Sequence, residues 1–207
     1  MSPLALLDYA SVLVFALSGA LVASRQQLDL IGFAVIACLT AVGGGTIRDV
    51  LLNRDAVFWI AEPTYIIVAV MTSVIVFLTA HRLESRLKAI VWADAFALSV
   101  AVSAGAGVAL KLGHNPVIVV LMGVATGSFG GLMRDVVCNE VPLILKQGEL
   151  YATAAFAGSV AMVVGSHFEL PVVYTYLACA ILTFALRAGS ILFGWALPTY
   201  KSRPPRA

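Results

Sequence analysis

Long uncharged stretches, separated by short clusters of polar residues, make up most of the chain. A helix needs roughly 20 mostly apolar residues to cross a bilayer, so each stretch near that length predicts one transmembrane helix. Seven stretches qualify: Tyr9–Ser24, Leu30–Ile47, Pro63–Ala80, Ala95–Leu110, Asn115–Met133, Leu150–Ser166 and Leu170–Leu186. The pattern therefore predicts an all-α, polytopic membrane protein with a single transmembrane domain over residues 1–207.

The composition narrows the classes of function. Hydrophobic residues make up 61% of the chain and charged residues 12%, which excludes an ordinary soluble domain. The net charge of +2 is small and no basic stripe is interleaved with aromatic residues, so we expect no nucleic acid partner. The cysteines and histidines have no metal-ligand spacing, so we expect no bound metal ion and no cofactor.

The positions of lysine and arginine predict the orientation, because positively charged loops are retained on the cytoplasmic side. With the N-terminus outside, the outer loops carry only Arg54 and Lys111. The cytoplasmic segments then hold the other basic residues between spans and in the tail: Arg25, Arg82, Arg86, Lys88, Lys146, Lys201, Arg203 and Arg206. We expect a multi-pass protein of the inner membrane, with its N-terminus outside and its C-terminus cytoplasmic.

An internal repeat organises the first six spans. Residues 8–69 align without a gap on residues 94–155, a shift of 86 positions. The densest match pairs Gly44-Gly45-x-x-Arg48-Asp49-Val50-x-x-Asn53 with Gly130-Gly131-x-x-Arg134-Asp135-Val136-x-x-Asn139. Each copy holds an odd number of spans, so the second copy must be inverted in the membrane. We expect two inverted three-helix repeats, about 4–80 and 90–167, with a seventh helix at about 170–197 outside them.

Inverted repeats of this kind occur in many ion and solute carriers, whose permeation site lies at the repeat interface. Glycines lie within spans two and five, where they favour either a kink that lines a path or close helix packing, and both interpretations stay open. A threonine lies one turn before each glycine run, where its hydroxyl can line a path or bond to the preceding turn. The candidate pore or kink residues are Gly43, Gly44, Gly45, Thr40, Gly130, Gly131, Thr126 and Phe129.

Charged residues at membrane depth are expensive and should face the bundle interior. The candidates for a charged gate or pore mouth are Asp8, Arg48, Asp49, Asp94, Arg134 and Asp135. We expect Asp8 to pair with Arg48 and Asp94 with Arg134 across helices, which leaves Asp49 and Asp135 to attract cations. Arg187 of the last span snorkels, binds an anionic lipid head group or pairs with an acid, and the sequence does not choose among these.

These residues favour a cation channel, because charges lie near the span ends while the span centres carry glycine, serine and threonine. A secondary transporter of a small solute or ion, working by alternating access, is the alternative. An enzyme is not expected, since no nucleophile, acid–base pair or metal cluster converges in the membrane.

The two glycine and Arg-Asp motifs, with Asn139-Glu140-Val141-Pro142 after the second, resemble the prokaryotic trimeric intracellular cation (TRIC) channels over nearly the whole chain. The resemblance implies a homotrimer in which each protomer has its own potassium-permeable pore, bent around the glycines of helices two and five. Phe129 departs from the pattern, since it stands where the first motif has Gly43. A phenylalanine there would narrow the path and make the two halves unequal.

Overall fold

The computed structural model describes residues 3–82, 86–146 and 149–198, with Arg86 described by its backbone alone. Within these ranges the chain forms helices and no strand: α1 (Pro3–Arg25), α2 (Leu30–Leu51), the short α3 (Phe58–Ala61), α4 (Thr64–Thr79), α5 (Arg86–Lys111), α6 (Pro116–Val137), α7 (Ala152–His167) and α8 (Val172–Phe193). Lys201, Arg203 and Arg206, which entered the orientation argument, lie outside the described residues.

Six helices of the described chain are long and apolar enough to cross a membrane. They are α1, α2, α4 with the turn that extends it to Arg82, α5, α6 and α8, while the apolar α7 is shorter. Each predicted span overlaps one of these helices. The all-helical, polytopic class is therefore confirmed, and α3 is an element that the span pattern did not predict.

Local sequence sets the same boundaries for α2 and α6. Asp29 caps α2 by accepting a hydrogen bond from Gly32 N at 2.7 Å, and Asn115 caps α6 through Val117 N at 3.0 Å. After each helix an asparagine takes a left-handed conformation, with φ of 49° at Asn53 and 55° at Asn139. Asparagine tolerates this conformation better than most residues, which explains its place in the duplicated motif.

Close packing within each hairpin is also duplicated. A Cβ on Gly19 of α1 would lie 2.8 Å from Ile36 O of α2, and a Cβ on Gly105 of α5 would lie 2.6 Å from Met122 O of α6. Gly105 and Met122 lie 86 positions after Gly19 and Ile36, so the two contacts correspond in the repeat. The first half of the bundle (α1, α2 and α4) and the second half (α5, α6 and α7) thus use the same contacts.

Valine at either glycine should destabilise the protein. We expect Gly19→Val and Gly105→Val each to cost about 1–3 kcal/mol, because the new side chain meets a helix backbone that cannot move aside. Thermal unfolding of the purified protein in detergent measures the effect, with Ala178→Val on the exposed side of α8 as the control. A melting temperature equal to that of the wild type in either glycine variant contradicts the duplicated packing.

Candidate ion path

Helices α2 and α6 cross at their glycines, where the two halves of the bundle meet. A Cβ on Gly44 would collide with Thr126 O, and a Cβ on Gly130 would collide with Thr40 O. The two contacts are reciprocal, since Gly130 and Thr126 are the repeat counterparts of Gly44 and Thr40. Only residues without a side chain allow the backbones to approach this closely.

Of the two interpretations left open for Gly43, Gly44, Gly45, Gly130 and Gly131, close packing fits their contacts in this structure. Both α2 and α6 run through their glycines as continuous α-helices, so the backbone carbonyls stay in helical hydrogen bonds. The glycines allow neighbouring residues to pack closely against these two helices. A Cβ on Gly43 would meet the tip of Met133, one on Gly45 the ring of Phe58, and one on Gly131 the Asp94 carboxylate and the Tyr151 hydroxyl.

The Arg48 guanidinium is fully buried near the end of α2. It bonds Asp8 of α1 at 3.0 Å and its neighbour Asp49 at 2.7 Å. The guanidinium carbon, Cζ, also lies 5.4 Å from the centre of the Phe58 ring. The charge is thereby neutralised and covered, and α1 is fastened to α2 at what we call the Asp8 end of the bundle.

The opposite end, which we call the Asp94 end, repeats the arrangement. Arg134 is fully buried and bonds Asp94 of α5 at 2.9 Å and Asp135 at 2.8 Å. It also donates to the Ser18 hydroxyl of α1, a contact between the two halves. Two carboxylates face one arginine here, and Asp94 Oδ2 is buried without a hydrogen-bond partner among the described residues.

The role of cation attraction predicted for Asp49 and Asp135 does not fit their contacts. Asp49 accepts from Arg48, from Arg54 at 3.2 Å and from the backbone of Phe58 at 2.8 Å. Asp135 accepts from Arg134 and from the backbone of Leu143 at 2.9 Å. Both carboxylates are nearly inaccessible to solvent and hold the segment after their helix against the bundle.

Two cavities at the Asp8 end are separated by Asp8 and Phe58, which line both. The outer one is an open vestibule of about 300 Å³ that also contacts Arg54, Glu62 and Lys111. The inner one, at the glycine crossing, measures about 10 Å³, the size of one water molecule. The bundle is therefore closed at the crossing.

The inner cavity has polar walls. Arg48 and Thr126 line it, and Arg48 Nη2 and Thr126 Oγ1 have no protein partner among the described residues. Thr40 lines it too, but its hydroxyl donates to Ile36 O at 2.6 Å. Phe129 is half-buried on α6 and is not among the residues that line either cavity.

Arg187 of α8 pairs with an acid, one of the three options that its sequence position left open. Its Nη2 lies 2.6 Å from Glu149 Oε2, and its guanidinium carbon, Cζ, lies 5.0 Å from the centre of the Tyr151 ring. Its Nε and Nη1 are buried and have no partner among the described residues. This cluster fastens α8 to the segment before α7.

Several contacts of the site were not predicted, and most involve a backbone atom or an uncharged side chain. Phe58, Leu143 and Ser18 belong to this group. Tyr151 carried a signal, because it aligns with Tyr65 in the repeat. In the structure Tyr65 stacks on Tyr9 with 4.1 Å between ring centres, beside the Asp8 end.

Among the described residues, no three His, Cys, Asp or Glu side chains converge as a metal site.

Comparisons with known proteins bear on this arrangement. The sequence model of a family described as "Glycine transporter" matches residues 5–81 and 91–167. The inner membrane protein YadS of Escherichia coli strain K12 is 36% identical over 198 residues, 94% of each chain. A TRIC trimeric intracellular cation channel orthologue from Rhodobacter sphaeroides is 41% identical, with a TM-score of 0.91 over 94% of this chain and 100% of that one. A prokaryotic TRIC channel in crystals is 30% identical, with a TM-score of 0.87 over 94% and 98%.

The identity and the near-complete coverage extend over both halves and α8, so the likeness is not limited to the motifs. These relatives are membrane proteins and channels, and the chain is not an enzyme. The chain belongs to the TRIC family, among its prokaryotic members.

Proposed function

We propose that this protein is a potassium-permeable cation channel of the inner membrane, with one path through each protomer of a homotrimer. The observation that carries the proposal is the polar, water-sized cavity at the reciprocal glycine crossing of α2 and α6. Polar atoms that deep in an apolar bundle require water or a polar path. The relatives described as trimeric cation channels support both the channel and the trimer.

The path runs between the two halves, from the vestibule at the Asp8 end to the Asp94 end. The halves are inverted repeats, and the N-terminus and the Asp8 end face outside. The reciprocal contacts at the crossing support this inverted relation, because a two-fold axis between the halves produces such exchange. Two acids against one arginine at the Asp94 end favour a cation over an anion.

A secondary transporter of a small solute is the second candidate. The matching family model is described as a glycine transporter, and the vestibule carries charges of both signs, Asp8 and Glu62 against Arg54 and Lys111. A zwitterion fits such a lining. A carrier would alternate access to one such site from the two sides of the membrane.

Ion flux through the purified protein in liposomes tests the first proposal against the second. We expect potassium efflux down its gradient without any solute, and slower movement of chloride. Uptake of labelled glycine in exchange for internal glycine, with no potassium flux, would move the assignment to a transporter. Crosslinking in the same liposomes measures the trimer.

Alanine at the crossing should open the path. In Gly44→Ala or Gly130→Ala the new methyl group meets the backbone of the opposite helix and pushes α2 and α6 apart. We expect potassium flux to rise at least about fivefold, since overpacking costs about 1–3 kcal/mol in the closed state. Gly43→Ala is the matched control, because its methyl group collides only with the flexible tip of Met133 and lies at an ordinary contact distance of 3.8 Å from Gly130 Cα. Equal flux in all three variants contradicts a gate at the crossing.

Removal of the Phe58 ring should join the two cavities. We expect Phe58→Ala to raise potassium flux, because this ring and Asp8 stand between the vestibule and the crossing. Trp59→Ala is the control, an aromatic truncation in the same short helix at a residue that lines neither cavity. A flux increase of the same size in both variants would indicate that truncation in α3 weakens the packing of the bundle, and would contradict a barrier at Phe58.

A further inference from the structure

The turn after α1 is tied to the segment after α6 at the Asp94 end. Arg25 Nη1 lies 3.3 Å from Glu140 Oε2. Gln26 Nε2 donates to Glu140 Oε1 at 3.1 Å and to Cys138 O at 3.2 Å. Arg25 and Gln26 belong to the first half and Glu140 to the second. Within the described ranges, this is the one ion pair that joins the two halves.

The repeat provides the same three positions at the Asp8 end, but their side chains cannot make the same contact. Arg25 and Gln26 correspond to Lys111 and Leu112, and Glu140 corresponds to Arg54. Both positions that correspond to the ion pair carry a cation there, and the leucine side chain has no hydrogen-bond donor. Arg54 bonds Asp49 instead, and all three residues line the open vestibule of about 300 Å³.

We propose that Arg25, Gln26 and Glu140 form a latch that holds the two halves together at the Asp94 end and keeps the path closed. They are positioning residues for the gate and need no contact with an ion. The like charges of Lys111 and Arg54 leave the Asp8 end without such an ion pair, so the latch acts at the Asp94 end only. The latch has a role only where a path opens between the halves, and in that sense it rests on the proposed function.

The contacts suit a latch that opens readily. The side chains of Arg25 and Glu140 are 36% and 28% exposed, and ion pairs at such sites are weak. The hydrogen bonds of Gln26 add a similar small amount. The latch can therefore bias the closed state while thermal motion still breaks it.

Potassium flux in proteoliposomes tests the latch. We expect Glu140→Gln and Arg25→Gln each to raise flux about three- to tenfold, the range set by one weak ion pair and its hydrogen bonds. Exchange of the charges in the double variant Arg25→Glu with Glu140→Arg should return flux to within about twofold of the wild type. Lys146→Gln, which removes an exposed charge without touching the latch, is the control.

The repeat also offers a test in the opposite direction. Lys111→Glu places an acid opposite Arg54, at the positions that correspond to the latch. We expect a second latch at the Asp8 end and a lower potassium flux than in the wild type. Lys111→Gln, which removes the repulsion without supplying an ion pair, should lower flux less. A higher flux in Lys111→Glu than in Lys111→Gln would overturn the proposed mechanism.

A second readout does not depend on conduction. Cys138 is half-buried beside the latch, and burial and the Glu140 carboxylate raise the pKa of its thiol. The double variant Arg25→Gln with Gln26→Ala breaks the latch but keeps the Glu140 carboxylate. Faster modification by maleimide then reports greater solvent access to Cys138 and not easier ionisation of its thiol. We expect the rate at Cys138, located by mass spectrometry in detergent, to rise at least about fivefold.

The two readouts separate the latch from the channel. Wild-type flux in both Glu140→Gln and Arg25→Gln, with unchanged modification of Cys138, overturns the latch and leaves the channel standing. If no variant conducts and Cys138 modification still accelerates, the latch stands as a clasp between the halves and the proposed channel fails.

Discussion

Two arginines inside the bundle, Arg48 and Arg134, must find carboxylate partners, and much of the architecture follows from this requirement. A buried guanidinium without a partner costs several kcal/mol, more than most single contacts supply. Each arginine bonds the next residue in its own helix and an acid on the preceding long helix. The bond to the acid on the preceding helix fixes the register of α1 on α2 and of α5 on α6. The bond to the neighbouring aspartate uses one carboxylate oxygen, and the other oxygen accepts a hydrogen bond from a backbone N–H in the segment after the helix.

This division of charge leaves the interface between the halves almost neutral. The carboxylate partners of Arg48 both belong to the first half, and those of Arg134 both belong to the second. The halves meet through apolar packing of α1 against α5, and through glycine, threonine and backbone carbonyls at the α2–α6 crossing. This neutral interface with close backbone contact is tightly packed but has few polar bonds, which suits the opening proposed for it.

The sequence was sufficient for the long helices and for two of the charge pairs. Uncharged length predicts the helices, and buried charges have few alternatives, so Asp8 pairs with Arg48 and the repeat places the equivalent Asp94 with Arg134. It was insufficient for the glycines, since a glycine run favours packing and bending alike and only the neighbouring backbone decides. Contacts such as Phe58 N to Asp49, or Gln26 to Cys138 O, leave no pattern in the sequence, because any residue carries the backbone atom.

The small number of polar bonds between the halves bears on how the proposed path would open. If the halves separate as rigid units, every buried pair of Arg48 and Arg134 with a carboxylate remains intact, and no buried charge loses its counterion. The bonds that must break are the Ser18 contact of Arg134 and the half-exposed contacts of Arg25 and Gln26. Neutral hydrogen bonds and exposed ion pairs are each weak, so breaking these polar bonds costs less than unpairing a buried arginine would. The buried pairs therefore need not break when the halves separate, and the closed state is held by the packing of α1 on α5, by glycine contact at the crossing and by few polar bonds.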